Sequence, residues 1–565
     1  MSKYAGYTKT QLTRPARSEF DLSHEKRITT RMGRLTPVFV SEAIPGDTFR
    51  GNIEILLRLA PLLAPIYDQI TLFVHVFFIP YRLLWKEWET FITGGRMGIG
   101  IDPLDAPLPP YYTFFDALTI DPTLFAKSTL LDYLGMPIIP SLPGYSVPAY
   151  ADAKFELLVP LAYQKVYMDY YRDRNYVVDT AVNLPVDSGQ LNVSSASSYL
   201  SLRTRYWEQD YFTSALPFTQ RGEEVLMPLA GSGAVTYLDE AQVWASGGAS
   251  TTGGAANTFW SIGNAPLSGD APGIPPGSDA RNAITSIAGG PGYQIGVANI
   301  DEVFLTSSGV SINDFRSAYA LQVWLERNMV GGSRYNESTE AHFGVRPQDS
   351  RLQRAEYLGG GRIPVKISEV VSTAYSQDAS DATVPLANMA GHAVSYGNTN
   401  MFNYFAPEHG VIIGIASIMS PPSYHQGMPN YFLRSTFLDY PWPTFAKLGE
   451  QAVKRFELFA SGVNLTPDDA GQYPIFGYQS RYADWKSIQS TNHGDFHDNL
   501  LFWTLTRNFS SSPVLGIAFN EYTTSIQNRI FAVNTSADNV WLYIHNNVTV
   551  RRCLPYFGTP NTLNF

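Results

Sequence analysis

From Gln69 to Pro80 the chain reads QITLFVHVFFIP, and its alternate residues separate into two faces that are both apolar. Leu72, Val74, Val76 and Phe78 fall on one side; Phe73, His75 and Phe77 fall on the other. A strand with one apolar face can lie at a surface, but one that is apolar on both must be covered from both. The segment therefore predicts a central strand between two layers of protein. His75, a lone histidine between apolar neighbours, is expected as a satisfied core or interface residue. Near the other end, Val540, Leu542 and Ile544 alternate with Trp541, Tyr543 and His545, a turn is expected at Asn546 and Asn547, and Val548 and Val550 resume the pattern. Strands at both ends of the chain suit a sheet in which the first and last strands are neighbours.

Composition supports a β protein. The chain has 34 Tyr, 32 Phe, 45 Gly and 38 Pro with only 16% charged residues, which favours short strands and long ordered loops over helical bundles. At 565 residues, length alone suggests about three or four domains of ~150 residues, a count that one β fold with long insertions would break. A single cysteine, Cys553, excludes an intramolecular disulfide framework and an all-cysteine zinc site. Apolar runs such as Val411 to Met419 have the length of core strands and fall short of the ~20 residues that cross a bilayer. MSKYAGYTKTQ lacks the apolar core of a secretory signal, so cytoplasmic synthesis without membrane insertion is expected, and six N-x-[ST] sequons are read as products of composition.

Helices are expected to decorate this framework. One follows Pro80, with Leu84, Trp88 and Phe91 on a face, tryptophans in the core and Gly94-Gly95 as its stop. Residues 101–150 hold nine prolines and suggest a surface excursion with a short helix around Pro122 to Gly135. Phe155 to Arg174 and Asp314 to Val330 read as longer helices, the latter with Ala318, Leu321, Trp324 and Leu325 on one face. From Gly231 to Ile300 there are 14 glycines, four acids and one base, a composition that cannot bury enough apolar surface to fold alone and predicts a surface excursion.

Signatures of catalysis are mostly absent: no phosphate-binding P-loop, nucleophile elbow or HExxH pattern occurs, and Gly359 to Gly361 lacks the spacing of a dinucleotide site. In HGDFHD, His493, Asp495, His497 and Asp498 could converge on a metal, but the neighbouring sequence favours a solvated turn. Glu408, His409 and His425 lack a nucleophile or cofactor motif to serve. No enzyme, metal or cofactor is expected. Charge is placed unevenly. Residues 1–34 carry Lys3, Lys9, Arg14, Arg17, Lys26, Arg27, Arg31 and Arg34 against Glu19, Asp21 and Glu25, while the whole chain sums to −10. A basic N-terminal arm, residues 1–40, on an acidic body can set positive charge against nucleic acid on one side. With Tyr4, Tyr7 and Phe20 among them, these eight cations are the candidate nucleic-acid contacts, suited to sequence-tolerant binding of single strands.

Two blocks are distinctive, DYFTSALPFTQRG (Asp210 to Gly222) and the run from Asn313 to Gly361 that contains YALQVWLERNMVGGSRYNESTEAHFGVRPQDSRLQRAEYLGGG. With IPGDTF (Ile44 to Phe49), FFIPYRLLWKEWETFITGG (Phe77 to Gly95), LLDYLGMP (Leu130 to Pro137), YQKVYMDYYRDRNY (Tyr163 to Tyr176), EHGVIIGI (Glu408 to Ile415), FGYQSRYADWK (Phe476 to Lys486) and FGTP (Phe557 to Pro560), they occur in order along most of the chain. Together they resemble the major capsid proteins of the Microviridae, most closely the gokushovirus-like branch. Ala355, where proline is expected, and the C-terminal NTLNF depart from the pattern.

The resemblance implies a mainly β protein, a single eight-stranded antiparallel jelly roll over residues 41–565 with long loop and helical insertions, of which 231–300 forms a protrusion at the three-fold axes. It implies a structural protein that assembles with itself into a T=1 icosahedral shell around circular single-stranded DNA. Other phage structural proteins and a host surface receptor would be its further partners, and the virion capsid, assembled in the host cytoplasm, its location. Periodicity by itself does not separate a jelly roll from other β-sandwiches. A carbohydrate-binding or carbohydrate-cleaving β-sandwich is the alternative, since aromatic-rich sheets also stack on sugars.

Overall fold

A computed structural model of the protein describes residues 17–93, 107–138, 153–177, 182–222, 242–246, 258–261, 294–298, 312–331, 335–344, 348–371 and 389–556, with 350, 448, 470, 524, 525, 527, 528 and 533–537 excepted. The chain divides into two units, Met1–Arg221 with Glu326–Phe565, and Gly222–Leu325. Its strands are β1 (Ser18–Asp21), β2 (His24–Thr30), β3 (Thr36–Ala43), β4 (Thr48–Leu59), β5 (Ile70–Pro80), β6 (Tyr111–Thr113), β7 (Lys154–Glu156), β8 (Gln242–Ser246), β9 (Thr258–Ser261), β10 (Gln294–Ala298), β11 (Glu356–Val365), β12 (Ile367–Val371), β13 (Met389–Asn398), β14 (Phe402–Phe405), β15 (Gly410–Met419), β16 (Glu450–Lys454), β17 (Ile475–Ser480) and β18 (Val540–Arg552).

Two antiparallel sheets make the sandwich of the larger unit, beside the two-stranded pairs β16-β17 and β6-β7. One runs β1-β18-β4-β13-β12, with β2 also on β18 and β14 also on β4; the other runs β11-β5-β15-β3. Ile53, Ile55 and Leu57 of β4, Leu542 and Ile544 of β18, and Leu72, Val74, Val76 and Phe78 of β5 belong to one buried cluster between them. The opposite face of the four-stranded sheet is also covered. Phe77 and Ile79 of β5 with Val411, Ile413 and Ile415 of β15 pack in a second cluster with Leu158, Leu161, Ala162 and Val166 of the helix Leu158–Val166. All ten residues of β15 are buried. The two-faced reading of Gln69 to Pro80 thus describes a strand with hydrophobic layers on both sides. His75 makes a 2.7 Å hydrogen bond through Nδ1 with the Tyr171 hydroxyl, as a satisfied residue should.

Several local expectations give way to tertiary pairing. Asn546 and Asn547 make no turn: β18 continues through them, paired with Ile53 and Asn52 of β4. Asn546 is fully buried and its Nδ2 donates to the Val38 carbonyl at 3.2 Å, so the side chain that would close a turn serves the core. The helix expected from Phe155 begins at Leu158, because Phe155 is paired with Tyr112 across β6 and β7; it continues past Val166 in π geometry to Tyr171. After Pro80, a short 3₁₀ turn at Tyr81–Leu83 precedes a helix that starts only at Trp88. The helix expected at Asp314 to Val330 spans Ile312–Gly331, but of its four expected face residues only Leu325 is buried, and Leu321 and Trp324 are half exposed. In the smaller unit, β10, β8 and β9 pair in that order; most of residues 231–300 otherwise lies outside the described residues, as do Lys3, Lys9, Arg14, Gly94, Gly95 and the terminal FGTP.

The triple glycine has a packing role. The β11–β5 register shifts between Tyr357 and Gly359, and Gly359 takes φ +148°. A Cβ on Gly360 would stand 2.2 Å from the Val74 carbonyl oxygen, well inside contact distance. The Gly360→Ala variant should lose about 1–3 kcal/mol or more of stability, whereas Gly462→Ala, with nothing within 4 Å of the added carbon, should stay within ~0.5 kcal/mol of the parent. The comparison is read from urea midpoints of the isolated subunit; equal midpoints would refute the steric account.

Candidate assembly surface and nucleic-acid segment

Between Pro429 and Phe445 the chain makes three short 3₁₀ turns, Asn430–Leu433, Phe437–Asp439 and Pro443–Phe445. Tyr431, Phe432, Phe437, Leu438, Tyr440 and Trp442 on this segment are each 48–70% exposed. Such a segment would be expected to collapse inward, and a polar network holds it in place. Arg434 Nη2 and Asp484 Oδ2 are 2.8 Å apart with both side chains largely buried, and the guanidinium carbon lies 4.2 Å from the Trp485 ring centroid. Gln451 Nε2 donates to the other Asp484 oxygen at 2.8 Å. The Asp439 carboxylate accepts from the backbone N–H groups of Ser435 and Thr436, which hold its pKa below the ordinary carboxylate range. Trp442 donates its backbone N–H to the Tyr482 hydroxyl at 3.1 Å and its Nε1 to the Phe437 carbonyl at 2.9 Å.

The area involved is large. Aromatic side chains bury about 150–250 Å² each, so half of the five aromatic groups leaves on the order of 500 Å² of surface in water along one segment, and Leu438 adds to it. That matches the largest exposed patch of a typical monomer, ~300–600 Å², and approaches the ~800 Å² that each partner contributes to a stable interface. A fixed, aromatic-rich surface of this size fits protein association.

The predicted basic segment divides. From Ser18 it is strand: β1 and β2 pair one after the other along β18. Lys26 turns inward, its Nζ donating to the Tyr133 carbonyl at 2.5 Å, and burial pushes its pKa down to about 8 against the opposing pull of Asp132. Arg31 and Arg34 each come within 3.4 Å of Asp538, which also accepts from Thr29 at 3.1 Å and hydrogen-bonds Ser128. Arg27 stays outside, paired with Glu25 at 3.0 Å and 5.6 Å from the Tyr543 ring centroid; Arg17 lies 5.9 Å from that of Phe405. The structure therefore leaves Arg17 and Arg27 outward and commits Lys26, Arg31 and Arg34 to the fold.

The catalytic-looking residues are engaged elsewhere. Glu408 forms a two-point pair with Arg82 at 2.6 and 3.0 Å, and His409 meets the Trp88 ring edge-on. His425 packs edge-on to His497, and burial pushes its pKa down to about 4, with His497 and Arg529 acting in the same direction. His493 bonds Thr491. Among the described residues, no three His, Cys, Asp or Glu side chains converge as metal ligands.

The Asp210 to Gly222 block is a structural knot. One Asp210 oxygen accepts the backbone N–H groups of Phe212 and Thr213, and the other accepts the Tyr424 hydroxyl at 2.7 Å. Tyr211 donates to Glu457 at 3.0 Å.

A profile of the family described as "Capsid protein (F protein)" matches residues 8–562. The chain belongs to that family. It is 32% identical to "Capsid protein VP1" of Chlamydia phage 1 over 96% of this chain and 95% of the relative. It is 31% identical to "Capsid protein VP1" of Bdellovibrio phage phiMH2K over 90% of this chain and 89% of the relative. Identity to the protein of the same name from Spiroplasma virus 4 is 25%, over 96% of this chain and 95% of the relative. These are Microviridae, so the chain is a Microviridae major capsid protein, and the carbohydrate-binding alternative is not favoured. No described helix is long and apolar enough to cross a membrane.

In this capsid protein the Tyr211–Glu457 contact carries a pH dependence. Burial pushes the Glu457 carboxyl up to about 7 from 4.5, partly opposed by its hydrogen bonds from the Lys454 N–H and Tyr211. The folded chain thus holds a proton that the unfolded chain releases near pH 4.5. This contribution to stability is full below that value and is lost as pH rises through about 7. Relative to Glu457→Gln, the parent subunit should lose stability across that window; parallel melting profiles at pH 4.5 and 7.5 would exclude the protonated carboxyl.

Proposed function

We propose that this chain is the repeating tile of a small T=1 icosahedral shell, built on a single eight-stranded jelly roll and closed around circular single-stranded DNA. Support for the jelly roll comes from strand order. β2, β18, β4 and β13 neighbour one another in one sheet, and β3, β15, β5 and β11 in the other. Taken in chain order, these eight strands alternate between the sheets except at β5 to β11, the pattern of two interlocked Greek keys.

The observation that carries the assembly role is the Tyr431 to Trp442 surface, held outward by buried polar contacts and suited to cover by another subunit. Aromatic side chains dominate the energetics of such contacts. The outward cations Arg17 and Arg27, with Lys3, Lys9 and Arg14 before them, are the residues we assign to the genome, by charge neutralisation. Host attachment falls to the insertion 231–300, whose low charge and glycine content suit an exposed protrusion. The remaining partners would be other phage structural proteins and a host surface receptor, with assembly in the host cytoplasm. The role is structural.

Velocity sedimentation and negative-stain imaging of the expressed chain test the shell directly: particles are expected, and a stable monomer at high concentration would overturn the reading. In the variant Phe432→Ser/Phe437→Ser the subunit should keep its circular dichroism and melting temperature but lose particle formation, since each truncated anchor of this kind costs about 2–4 kcal/mol per contact. Undiminished assembly would remove this segment from the interfaces.

Replacement of Ser246 to Pro291 by a short Gly/Ser linker should leave a soluble, assembling subunit, because loop-closure entropy depends only logarithmically on length and the change should stay within ~1–2 kcal/mol. Attachment to host cells should fall sharply. Particles that attach normally would end the receptor role, and failure to assemble would make the insertion an inter-subunit clamp.

A further inference from the structure

A cleft of about 1600 Å³ opens on the larger unit over the outward face of β5 and β11, with His75, Tyr171, Arg205, Trp207, Tyr357 and Arg362 in its lining. Its volume exceeds the ~300–1,000 Å³ of most small-molecule sites, so it suits a stretch of polymer.

Two of its cations lack a counter-charge. Arg205 and Arg362 lie over the same ring, 4.4 and 5.1 Å from the Phe73 centroid. Neither has a carboxylate within ion-pair distance among the described residues. The Arg205 guanidinium donates a hydrogen bond to the Ser417 hydroxyl at 2.9 Å. Their uncompensated charge is felt nearby: burial first, then both guanidiniums, push the His75 pKa down to about 4. Several carboxylates of the cleft are engaged elsewhere. Asp349 pairs with Arg354 at 3.7 Å and accepts the Tyr170 hydroxyl at 3.0 Å; Glu356 accepts the Tyr404 hydroxyl at 3.2 Å. Glu208 acts on Arg205 only from beyond ion-pair distance.

The wall is also polar and unsatisfied. Trp207 Nε1 and Asn520 Oδ1 are buried without hydrogen-bond partners, on side chains only 4% and 2% exposed. Both atoms are sealed from solvent, so they add polarity to the wall behind the arginines rather than contact points of their own. Tyr357, half exposed beside the two arginines, offers a ring face to an unpaired base.

We propose that this cleft binds a short stretch of single-stranded nucleic acid, with backbone phosphates on Arg205 and Arg362 and a base against Tyr357. This rests on the reading of the chain as a shell around DNA and adds a second contact, separate from the N-terminal cations. Free guanidiniums beside a stacking surface are the combination by which sequence-tolerant single-strand sites work, and a purely acidic peptide would leave the ring face unused.

The test uses the full-length unassembled subunit and a fluorescently labelled ten-residue oligo-dT, with anisotropy measured across a salt series. Arg205→Gln/Arg362→Gln should weaken binding and reduce the log–log salt slope by about 1.4, near 0.7 for each lost phosphate contact. Because Arg205 is partly buried, Arg362→Gln alone, at an exposed position, is the second arm and should reduce the slope by about 0.7. Tyr357→Ala should weaken binding about tenfold with the slope unchanged. The same changes should persist in a chain whose Lys3, Lys9, Arg14 and Arg17 are Gln, which separates the cleft from the N-terminal segment. Unaltered affinity and slope in both arginine variants would overturn the proposal and leave a solvent-filled cleft. Binding of a poly-glutamate peptide with no binding of oligo-dT would overturn it in favour of a protein partner. Particle formation by the parent chain, followed separately, reports on the shell reading whatever the cleft does.

Discussion

Everything in the larger unit hangs on the pairing of β5 with β15, two strands hydrophobic on both faces. Their register runs from Gly410 opposite Pro80 to Met419 opposite Thr71, a ten-residue ladder with apolar layers above and below. One layer closes the sandwich against β4 and β18; the other seats the helix Leu158–Val166 and the aromatic residues around it. A strand that is half polar could support only the first. Because this pair supports both, loops and helices can be long and irregular without losing their footing, and the chain can spend much of its length on surfaces that face other molecules.

Those surfaces stay outward for a physical reason. Hydrophobic side chains left in water tend to fold back at ~25 cal/mol per Å², and a loop with six of them would normally do so. The Arg434–Asp484 pair prevents it. Breaking that pair to let Tyr440 and Trp442 sink inward would strand a mostly buried charge, a penalty of about 3–5 kcal/mol. The cleft presents the opposite case: Arg205 and Arg362 lie over Phe73 with no carboxylate at ion-pair distance among the described residues. In both places buried contacts position side chains whose proposed partners lie outside the subunit.

How much of this was legible in the sequence follows from how local the signal is. Double-faced alternation at Leu72 to Phe78 and the alternating Val540 to Ile544 are short-range patterns imposed by burial, and both mark real core strands. Asn546-Asn547 is a short-range pattern too, yet long-range pairing overrode it, because β18 pairs with β4 straight through both residues and the buried Asn546 amide nitrogen finds the Val38 carbonyl. The basic N-terminal segment misled in the same way: composition counts Lys26, Arg31 and Arg34 as free charge, but Tyr133 and Asp538 meet them from 107 and about 500 residues away in the chain. The cleft had no sequence signature at all. Its parts come from β5, the Tyr167–Tyr171 turn, the segment after Arg203, β11 and Asn520, and only the fold makes them neighbours.

A net charge of −10 does not bar contact with a polyanion, because the reach of each charge is short. Exposed charges farther apart than about 8 Å are largely screened at physiological ionic strength, so a phosphate responds to the few groups beside it and hardly to the total. Acids on the outer body cost little at that range. Two arginines without counter-charge, or a short run of outward cations, would therefore suffice for the proposed phosphate contacts on a chain that is acidic in sum. The same locality limits the strength of each contact to a few phosphates, which suits a repeating tile: many weak, salt-sensitive contacts summed over identical subunits would hold a genome firmly while leaving every individual segment free to shift.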